Sequence, residues 1–251
     1  MFGLGGRRAL VTGSSRGIGY GIAAALAGAG AEVLLNGRDQ AALGAAAARL
    51  ADAGATVRAL AFDVTSEESV EEAVSYAEAE IGPVDILVNN AGIQHRAPLE
   101  DFPLEKFEQV MRTNVTSAFM VGRAVARGMI ARRSGKIINI CSVMSNLARP
   151  SIAPYAASKA AIANLTRGMA VDWAKHGINV NGIAPGYIST EMNEALLANA
   201  EFTAWVEKRT PMGRWGAPAE LGGAAVFLAS EAASFVNGHI LYVDGAFTAT
   251  V

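Results

Sequence analysis

Tyr155 and Lys159 are the residues of this chain whose types and spacing most directly suggest chemistry. On a helix, residues four apart lie on one face, so the lysine ammonium would lie near the phenol. A nearby positive charge favours the phenolate, and such a phenol can act as an acid or base on a carbonyl or an alcohol. Ser142 ends the apolar run 136–141, where its hydroxyl could point into the same cleft. The pair alone is weak evidence, because a tyrosine packed at a helix rim and a solvated lysine often have this spacing.

The elements that must position these residues alternate between short apolar runs and longer amphipathic segments. The predicted strands are 9–11, 32–36, 57–62, 85–88, 136–141, 179–183 and 240–243, and the predicted helices are 18–29, 40–53, 66–81, 104–132, 154–175 and 217–229. Repeated strand–helix units with continuously apolar strands predict an α/β fold, a Rossmann-type doubly wound parallel sheet with helices on both faces. We expect a single domain over 1–251, in which 187–216 form a helical insertion that covers the cleft as a substrate lid.

A glycine-rich turn, residues 12–19, joins the first strand to the first helix. Its glycines, Gly13, Gly17 and Gly19, have the spacing GxxxGxG. Such a turn lets backbone N–H groups and a helix N-terminus approach a pyrophosphate, which predicts a dinucleotide site. The alternative is a tight turn that binds no ligand.

The choice of dinucleotide is read at the end of the second strand, where an acidic residue would bind the ribose hydroxyls of NAD. Here the sequence is Asn36-Gly37-Arg38, without a carboxylate at the first two positions. Arg38 and Arg16 could together bind a 2′-phosphate. We therefore predict NADP(H) as the preferred cofactor, with NAD(H) use left open; the alternative is that both arginines are solvated surface residues.

Composition excludes several classes of protein. Of 251 residues, 51% are hydrophobic and 18% charged, which is typical of a globular protein with a large core. The net charge of −2 gives no indication of a nucleic-acid or membrane-surface partner. The single cysteine allows no intrachain disulfide and fits a cytoplasmic location, and three histidines without clustered cysteines argue against a metal site. We find neither a signal peptide nor an apolar run long enough to span a membrane.

Taken together, the motifs resemble the short-chain dehydrogenase/reductase family over nearly the whole chain. The matching elements are the 12–19 turn, Asp63-Val64, 89–92, Asn114, Ser142, Tyr155 with Lys159, Pro185-Gly186 and 242–245. Their common order and spacing are far more specific than any single motif. Ala246 departs from the family pattern, in which a second glycine often follows, but it affects no catalytic role. The resemblance implies hydride transfer with a nicotinamide dinucleotide, a small-molecule substrate and a homotetramer.

The resemblance implies four catalytic residues. Ser142 and Tyr155 would stabilise negative charge on the substrate oxygen, and Tyr155 would transfer the proton. Lys159 would hold the nicotinamide ribose and ease the release of the Tyr155 proton, while Asn114 would anchor a water molecule in a proton relay. Ser145 is a second nearby hydroxyl, and Ser142 is preferred because its spacing to Tyr155 matches the family.

The resemblance also implies a cofactor-binding set. Asp63 and Val64 would flank the adenine, Asn90 would meet the ribose, and Ile188 and Thr190 would meet the nicotinamide carboxamide. Structural alternatives remain for Asn90 as a turn residue and for Asp63 as a cap. The complete set is Gly13, Ser15, Arg16, Gly17, Ile18, Gly19, Arg38, Asp63, Val64, Asn90, Ala91, Gly92, Tyr155, Lys159, Pro185, Gly186, Ile188 and Thr190.

Within the family, the segments 36–39, 92–96, 186–188 and 201–216 are similar to those of gluconate 5-dehydrogenases. That similarity implies a secondary alcohol or ketone of a sugar acid, gluconate or 5-keto-gluconate, as substrate. A sugar acid needs a cation for its carboxylate, and Arg96 and Arg149 are the candidates. Each arginine could instead be a surface or subunit-contact residue. Gln94, His95 and Asn193 could bind substrate hydroxyls, and His95 could equally be a structural loop histidine.

Other functions remain open on the sequence alone. A 3-oxoacyl-thioester reductase, or another polyol or sugar dehydrogenase, would share the catalytic set. An acyl substrate would favour an apolar channel and a basic docking patch, which the region of Arg96 fits less well. A dinucleotide-sensing protein without enzymatic activity would be favoured by loss of Tyr155 or Lys159, and both are present.

Overall fold

A single seven-stranded parallel sheet organises the computed structural model, which describes residues 1–250. The strand order is β3-β2-β1-β4-β5-β6-β7 and reverses beside β1, which confirms the predicted doubly wound arrangement. Each strand lies within two residues of a predicted one. The strands are β1 (Arg8–Val11), β2 (Glu32–Gly37), β3 (Val57–Ala61), β4 (Ile86–Asn89), β5 (Gly135–Ile140), β6 (Ile178–Pro185) and β7 (Ile240–Val243).

Helices cover both faces of the sheet. The side chains of β1 pack alternately into two apolar clusters. Ala9 and Val11 belong to one cluster, and Leu10 belongs to the other. Because side chains alternate along a strand, a strand that is apolar throughout must be covered on both sides. The helices are α1 (Gly17–Gly28), α2 (Gln40–Asp52), α3 (Glu67–Tyr76), α4 (Leu104–Met111), α5 (Ser117–Arg132), α6 (Ala153–Trp173), α7 (Glu194–Leu197), α8 (Ala200–Arg209) and α9 (Gly222–Ala229).

Two predicted helices contain π-helical turns. The predicted helix 66–81 is α3 followed by a π turn at Ala77–Ile81, and the predicted helix 104–132 is α4 and α5 joined by a π turn at Arg112–Thr116. Such turns occur often at functional sites, and the second one contains Asn114. None of the helices within 1–250 has the length and hydropathy needed to cross a lipid bilayer.

The carboxyl ends of the strands meet along one edge of the sheet. Val11 is in register with Leu35 of β2 and Val88 of β4, and Ile140 is in register with Ile183 of β6. Loops that leave these ends therefore lie side by side. They carry the glycine-rich turn, Arg38, the 89–96 segment, Ser142 and the segment that follows Pro185.

The segment 187–216 interrupts the strand–helix alternation. It contains a 3₁₀ turn at Glu191–Asn193, then α7 and α8. Its two ends are held together, because the Gly216 N–H donates to the Tyr187 carbonyl at 2.9 Å and the Ser189 N–H donates to the Gly216 carbonyl at 2.9 Å. The segment is thus closed at its base by a short parallel bridge between Ile188 and Gly216.

Candidate active site

A cavity of about 740 Å³ opens at the carboxyl edge of the sheet. The structure brings together around it every residue that the sequence assigned to cofactor binding. Gln94 and Asn193 also line it, as does Ser142, whereas His95 packs edge-on against Phe102 with ring centroids 5.3 Å apart. The cofactor residues that line the cavity are Gly13, Ser15, Arg16, Gly17, Ile18, Gly19, Arg38, Asp63, Val64, Asn90, Ala91, Gly92, Tyr155, Lys159, Pro185, Gly186, Ile188 and Thr190.

The glycine-rich turn has the backbone shape that an anion requires. Gly13 and Gly17 have φ angles of +60° and +57°, a region that favours glycine. A Cβ on Gly19 would lie 2.4 Å from the Gly13 carbonyl oxygen, so this position also requires glycine. Arg16, the N-cap residue of α1, makes no capping hydrogen bond with its side chain. The backbone N–H groups in the first turn of α1 are therefore available to a diphosphate.

The side-chain amide of Asn90 holds the glycine-rich turn in place. Its Nδ2 donates to the carbonyls of Thr12 and Gly13, both at 2.9 Å. The amide is thus engaged with protein backbone, which supports the structural alternative for that nitrogen. Its ribose contact stays a prediction.

The end of β2 explains why Asn36 stands where an acidic residue would mark an NAD site. Asn36 is buried, accepts the Gly13 N–H through Oδ1 at 3.3 Å and donates through Nδ2 to the Phe62 carbonyl at 3.0 Å. It therefore ties β2 to the glycine turn and to the end of β3. The exposed Arg38 follows on the cavity rim, and Arg16 lines the same cavity.

The carboxylate of Asp63 lies close enough to Arg38, on the cavity rim, for the two charges to interact. Its Oδ1 accepts from the N–H and the hydroxyl of Thr65 at 2.8 and 2.7 Å. Burial alone would raise the pKa of Asp63, but these bonds and the charges of Arg38 and Arg112 hold the pKa below its usual value. The carboxylate is therefore ionised at neutral pH and moderates the positive charge of Arg38.

Tyr155 is placed near the start of α6, with Ser142 beside it. Burial raises the pKa of the Tyr155 phenol, although the Ser142 hydroxyl and the charge of Arg96 act in the opposite direction. The sequence led us to expect that Lys159 eases release of the proton; that role stays a prediction, and burial is the largest influence on the pKa of the phenol. The reason is desolvation, which disfavours the phenolate and which sequence spacing does not reveal.

Lys159 is buried one turn further along α6. Its Nζ donates to the Ile140 carbonyl at 2.7 Å and lies 5.8 Å from the centre of the Tyr155 ring. Burial lowers the pKa of Lys159 to about 8. The amine therefore changes charge close to physiological pH, in a range where it can take part in proton transfer.

The two neighbouring serines have different positions. Ser145 donates to the Lys159 carbonyl at 2.9 Å and accepts the Ser142 N–H at 3.3 Å, so its hydroxyl is committed to structure. Ser142 accepts the Met144 N–H at 3.1 Å and still lines the cavity next to Tyr155. This geometry favours Ser142 as the hydroxyl that meets a substrate.

Asn114 is buried in the π turn between α4 and α5. Its Oδ1 accepts the Ile93 N–H at 2.8 Å, and its Nδ2 donates to the Ile93 carbonyl at 3.0 Å and to the Ser158 hydroxyl at 2.9 Å. The side chain thus joins the 89–96 segment to α6 one residue from Lys159. Its part in a water relay stays a prediction.

Arg96 and Arg149 do not line the 740 Å³ cavity, yet both lie close to Tyr155 or its neighbours. Nε and Nη2 of Arg96 are buried without a hydrogen-bond partner in residues 1–250. Burial and the charge of Arg149 lower the pKa of Arg96, and the charges of Tyr187 and Tyr155 act on it too. The guanidinium of Arg149 lies 5.1 Å from the centre of the Phe202 ring. Arg96 thus lies near the phenols of Tyr155 and Tyr187, and Arg149 lies near that of Tyr187.

Tyr187 is a residue that the sequence-based site did not include. Its hydroxyl oxygen is buried without a hydrogen-bond partner among the described residues. Burial raises the pKa of this phenol, and the charges of Arg149 and Arg96, with a donor contact from the Arg149 guanidinium, oppose that shift. Its place directly after Pro185-Gly186, where β6 meets the 187–216 segment, is the sequence signal that could have identified it. In residues 1–250, histidine, cysteine, aspartate and glutamate side chains form no group of three or more that could bind a metal ion.

Comparison with known proteins adds to this geometry. A sequence profile of the family described as Enoyl-(Acyl carrier protein) reductase matches residues 13–248. The chain is 56% identical over 251 residues to the gluconate 5-dehydrogenase of Gluconobacter oxydans, covering 100% of this chain and 98% of that protein. It is 49% identical to the 5-keto-D-gluconate 5-reductase of Escherichia coli, covering 100% and 99%. The crystal structure of a gluconate 5-dehydrogenase from Burkholderia cenocepacia in complex with NADP and tartrate superimposes with a TM-score of 0.97 at 54% identity, covering 100% and 98%.

Proposed function

Because this chain belongs to the short-chain dehydrogenase/reductase family, we propose that it transfers a hydride between NADP(H) and a secondary alcohol or ketone of a sugar acid. Gluconate and 5-keto-gluconate are the proposed substrate pair, after the relatives whose names state them. The observation that carries the proposal is Arg96, a guanidinium with two buried, unpartnered nitrogen atoms beside the catalytic phenol. A carboxylate is the substrate group that satisfies such donors.

The cavity fits the proposed cofactor. The positive φ angles of Gly13 and Gly17 and the uncapped start of α1 suit a diphosphate, and Arg16 and Arg38 on the rim suit a 2′-phosphate. NADPH, when bound there, supplies the hydride. With Asn36 in place of an acidic residue, NADP(H) is preferred, and NAD(H) is the weaker alternative.

Proton transfer is the work of the chain's own residues. In reduction, Tyr155 donates its proton to the carbonyl oxygen, and Ser142 donates a hydrogen bond to the same atom. The raised pKa of Tyr155 suits the acid role, because the phenol keeps its proton at neutral pH. In oxidation Tyr155 must release that proton, and the buried Lys159 supplies positive charge beside it. Asn114 is proposed to hold the relay water that connects Lys159 to solvent.

The substrate carboxylate is proposed to lie between Arg96 and Arg149. Desolvation makes each charge-assisted hydrogen bond stronger than at the surface. Removal of a bound acid leaves the Arg96 donors unpartnered again, which is unfavourable. The pair therefore selects for a negatively charged substrate. The 187–216 segment is proposed to act as the lid over this site.

A homotetramer and a cytoplasmic location complete the proposal. Large apolar side chains are exposed on α4, α5 and α6, among them Leu104, Phe107, Phe119 and Val171. Such surfaces suit contacts between copies of one chain. Light scattering would give the molecular mass in solution, and cell fractionation would give the location.

A substrate panel with both cofactors tests the activity. We expect gluconate oxidation with NADP to be far faster than reduction of an acetoacetyl thioester with NADPH. The control variant Tyr155→Phe should lose at least about 100-fold in turnover, because the general acid is removed, while NADPH binding followed by fluorescence stays near normal.

Each other outcome points to a different function. A faster thioester reaction would indicate an acyl-thioester reductase, and equal rates with uncharged polyols would indicate a polyol dehydrogenase. NADPH binding without turnover of any substrate would indicate a dinucleotide sensor. Substantial activity in Tyr155→Phe would contradict the acid/base role.

A further inference from the structure

The hydroxyl group of Tyr187 has no role in the mechanism above, yet it is buried and makes no hydrogen bond of good geometry in residues 1–250. The Arg149 guanidinium approaches its oxygen as a donor, which leaves the hydroxyl hydrogen itself without an acceptor. Buried hydroxyls in proteins are nearly always hydrogen-bonded, because an unpartnered one loses its contacts with water and gains nothing in return. The same holds for Nε and Nη2 of Arg96. Unpartnered donors of this kind, close enough for their charges to interact, are what a polar ligand would satisfy.

Four aromatic rings, which we call the aromatic cage, fix the position of this tyrosine. They are Phe202, Trp205, Trp215 and Phe247, whose centroids lie 5.7, 5.9, 5.5 and 5.3 Å from that of Tyr187, all edge-on. Such edge-to-face contacts add stability beyond area burial. The ring is therefore preorganised, and its hydroxyl has a defined place before any ligand binds.

The cage also connects Tyr187 to the carboxylate site. Phe202, one of its rings, is the ring over which the Arg149 guanidinium lies at 5.1 Å. Tyr187 and Tyr155 both pack against one apolar cluster that includes Val143, Ile152 and Phe247. The charges of Arg149 and Arg96 both act on the Tyr187 hydroxyl. The tyrosine thus lies near both the catalytic phenol and the two arginines.

We propose that the Tyr187 hydroxyl is a third donor to the substrate carboxylate and a specificity-determining residue of this enzyme. This inference rests on the proposed function, since it assigns the same carboxylate an additional partner. Arg96 and Arg149 supply charge, whereas the phenol supplies a directional bond from a rigid ring. An uncharged sugar offers no strong acceptor there, and so gains much less from the hydroxyl.

Burial supports the donor role, since it raises the pKa of Tyr187 against the influence of both arginines. The phenol keeps its proton at neutral pH and can donate it in a hydrogen bond. A deprotonated phenol would instead repel an acid.

The variant Tyr187→Phe tests the inference, because it keeps the ring in its cage and removes only the hydroxyl. A hydrogen bond to a charged group corresponds to about 10- to 100-fold in affinity. We expect KM for 5-keto-gluconate and the inhibition constant of tartrate to rise by such a factor. The values of kcat, KM for NADPH and Tm should stay close to those of the unmodified protein.

Tyr242→Phe is the matched control. Tyr242 packs in the same apolar cluster, and its hydroxyl accepts a hydrogen bond from Asn146 at 2.6 Å. It should leave KM for 5-keto-gluconate unchanged. A KM within twofold of the unmodified value in Tyr187→Phe, or an equal rise in the control, would overturn the inference. So would a loss spread over kcat, Tm and KM for NADPH, since that indicates a structural role.

Calorimetric titration of gluconate onto the NADP-bound protein separates the two proposals. Turnover of the unmodified protein with no effect of Tyr187→Phe on binding would refute the inference alone. Binding without turnover, weakened by Tyr187→Phe, would refute the proposed reaction and support the inference. Absence of gluconate binding to the unmodified protein would refute both.

Discussion

Reversing the charge of Arg38 is the sharpest test of how this chain selects its dinucleotide. The residue is exposed on the cavity rim directly after β2, and it makes no hydrogen bond or ion pair within residues 1–250. Its neighbours should tolerate Arg38→Asp. Asp39 caps α2 through its own side chain, accepting the N–H groups of Ala41 and Ala42 at 2.9 and 3.0 Å. The change therefore affects the rim and leaves the turn intact.

Two effects weaken NADP binding in this variant. A charge-assisted hydrogen bond from the guanidinium to the 2′-phosphate is lost, which corresponds to about 1.5–3 kcal/mol. The new carboxylate also repels the phosphate; two unit charges 4 Å apart near a protein surface interact by about 4 kcal/mol, and exposure and salt reduce this value. Together these effects should raise KM for NADP by at least about 100-fold.

A third effect favours NAD. A carboxylate at this position can accept hydrogen bonds from the adenosine ribose, as acidic residues do in NAD-binding folds. Asp63 moderates the gain, because its carboxylate lies under the influence of Arg38 and would then face a second negative charge. We expect a modest decrease in KM for NAD, which shifts the preference further.

Initial rates with NADP and NAD, measured at low and high salt, provide the assay. Lys175→Asp is the control, since it makes the same charge change at the opposite edge of the sheet, just before β6. The effect of Arg38→Asp should shrink as salt rises, and the control should show little preference change. An unaltered ratio of kcat/KM for the two cofactors would refute the role of Arg38 in holding the phosphate.

Two further predictions concern the catalytic residues. Ser142→Ala should lower kcat by about 100-fold or more with little change in Tm. Ser145→Ala should instead lower Tm, because the two buried hydrogen bonds of its hydroxyl are lost. The reverse pattern would contradict the choice of Ser142 as the catalytic serine. The depressed pKa of Lys159, about 8, means that the unfolded chain binds more protons than the folded one between that pH and the ordinary lysine pKa. The contribution of Lys159 to the unfolding free energy should therefore rise between pH 8 and 10 by up to about 1.4 kcal/mol per pH unit. The buried Cys141, whose pKa is raised to about 11, acts in the opposite direction above pH 9, so the test is the difference between the unmodified protein and Lys159→Met in urea titrations. An identical pH profile in the variant would refute the prediction.

The fold and the cofactor-binding cavity could be predicted from local sequence patterns. Continuous apolar runs such as 136–140 need cover on two faces, which a parallel sheet between helices supplies. The glycine turn is also a local matter, because Gly13 and Gly17 adopt positive φ angles within a few residues of one another. Strand order then brings all the predicted cofactor residues to one cavity, as parallel strands end on the same edge.

Two features of the site depend on contacts between residues far apart in the sequence, and the sequence did not reveal them. The predicted helix 104–132 is interrupted by a π turn at Asn114, whose amide bonds to Ile93 and Ser158 far along the chain. Burial raises the pKa of Tyr155, and this burial depends on neighbouring segments rather than on the spacing of residues along its own helix. Neither the π turn nor the raised pKa can be read from the periodicity or spacing of residues in the sequence.

The sequence by itself determined the types of chemistry available: a phenol and an amine on one helical face, a glycine-rich turn suited to a phosphate, and Asn36 in place of an acidic residue with Arg38 after it. Local spacing fixes these features, because it acts through neighbouring backbone. Only the tertiary structure decided that Arg96 and Tyr187 have buried donors without partners near Tyr155. Burial depends on segments that are remote in sequence, and these buried donors are the basis on which we propose a site selective for an anion.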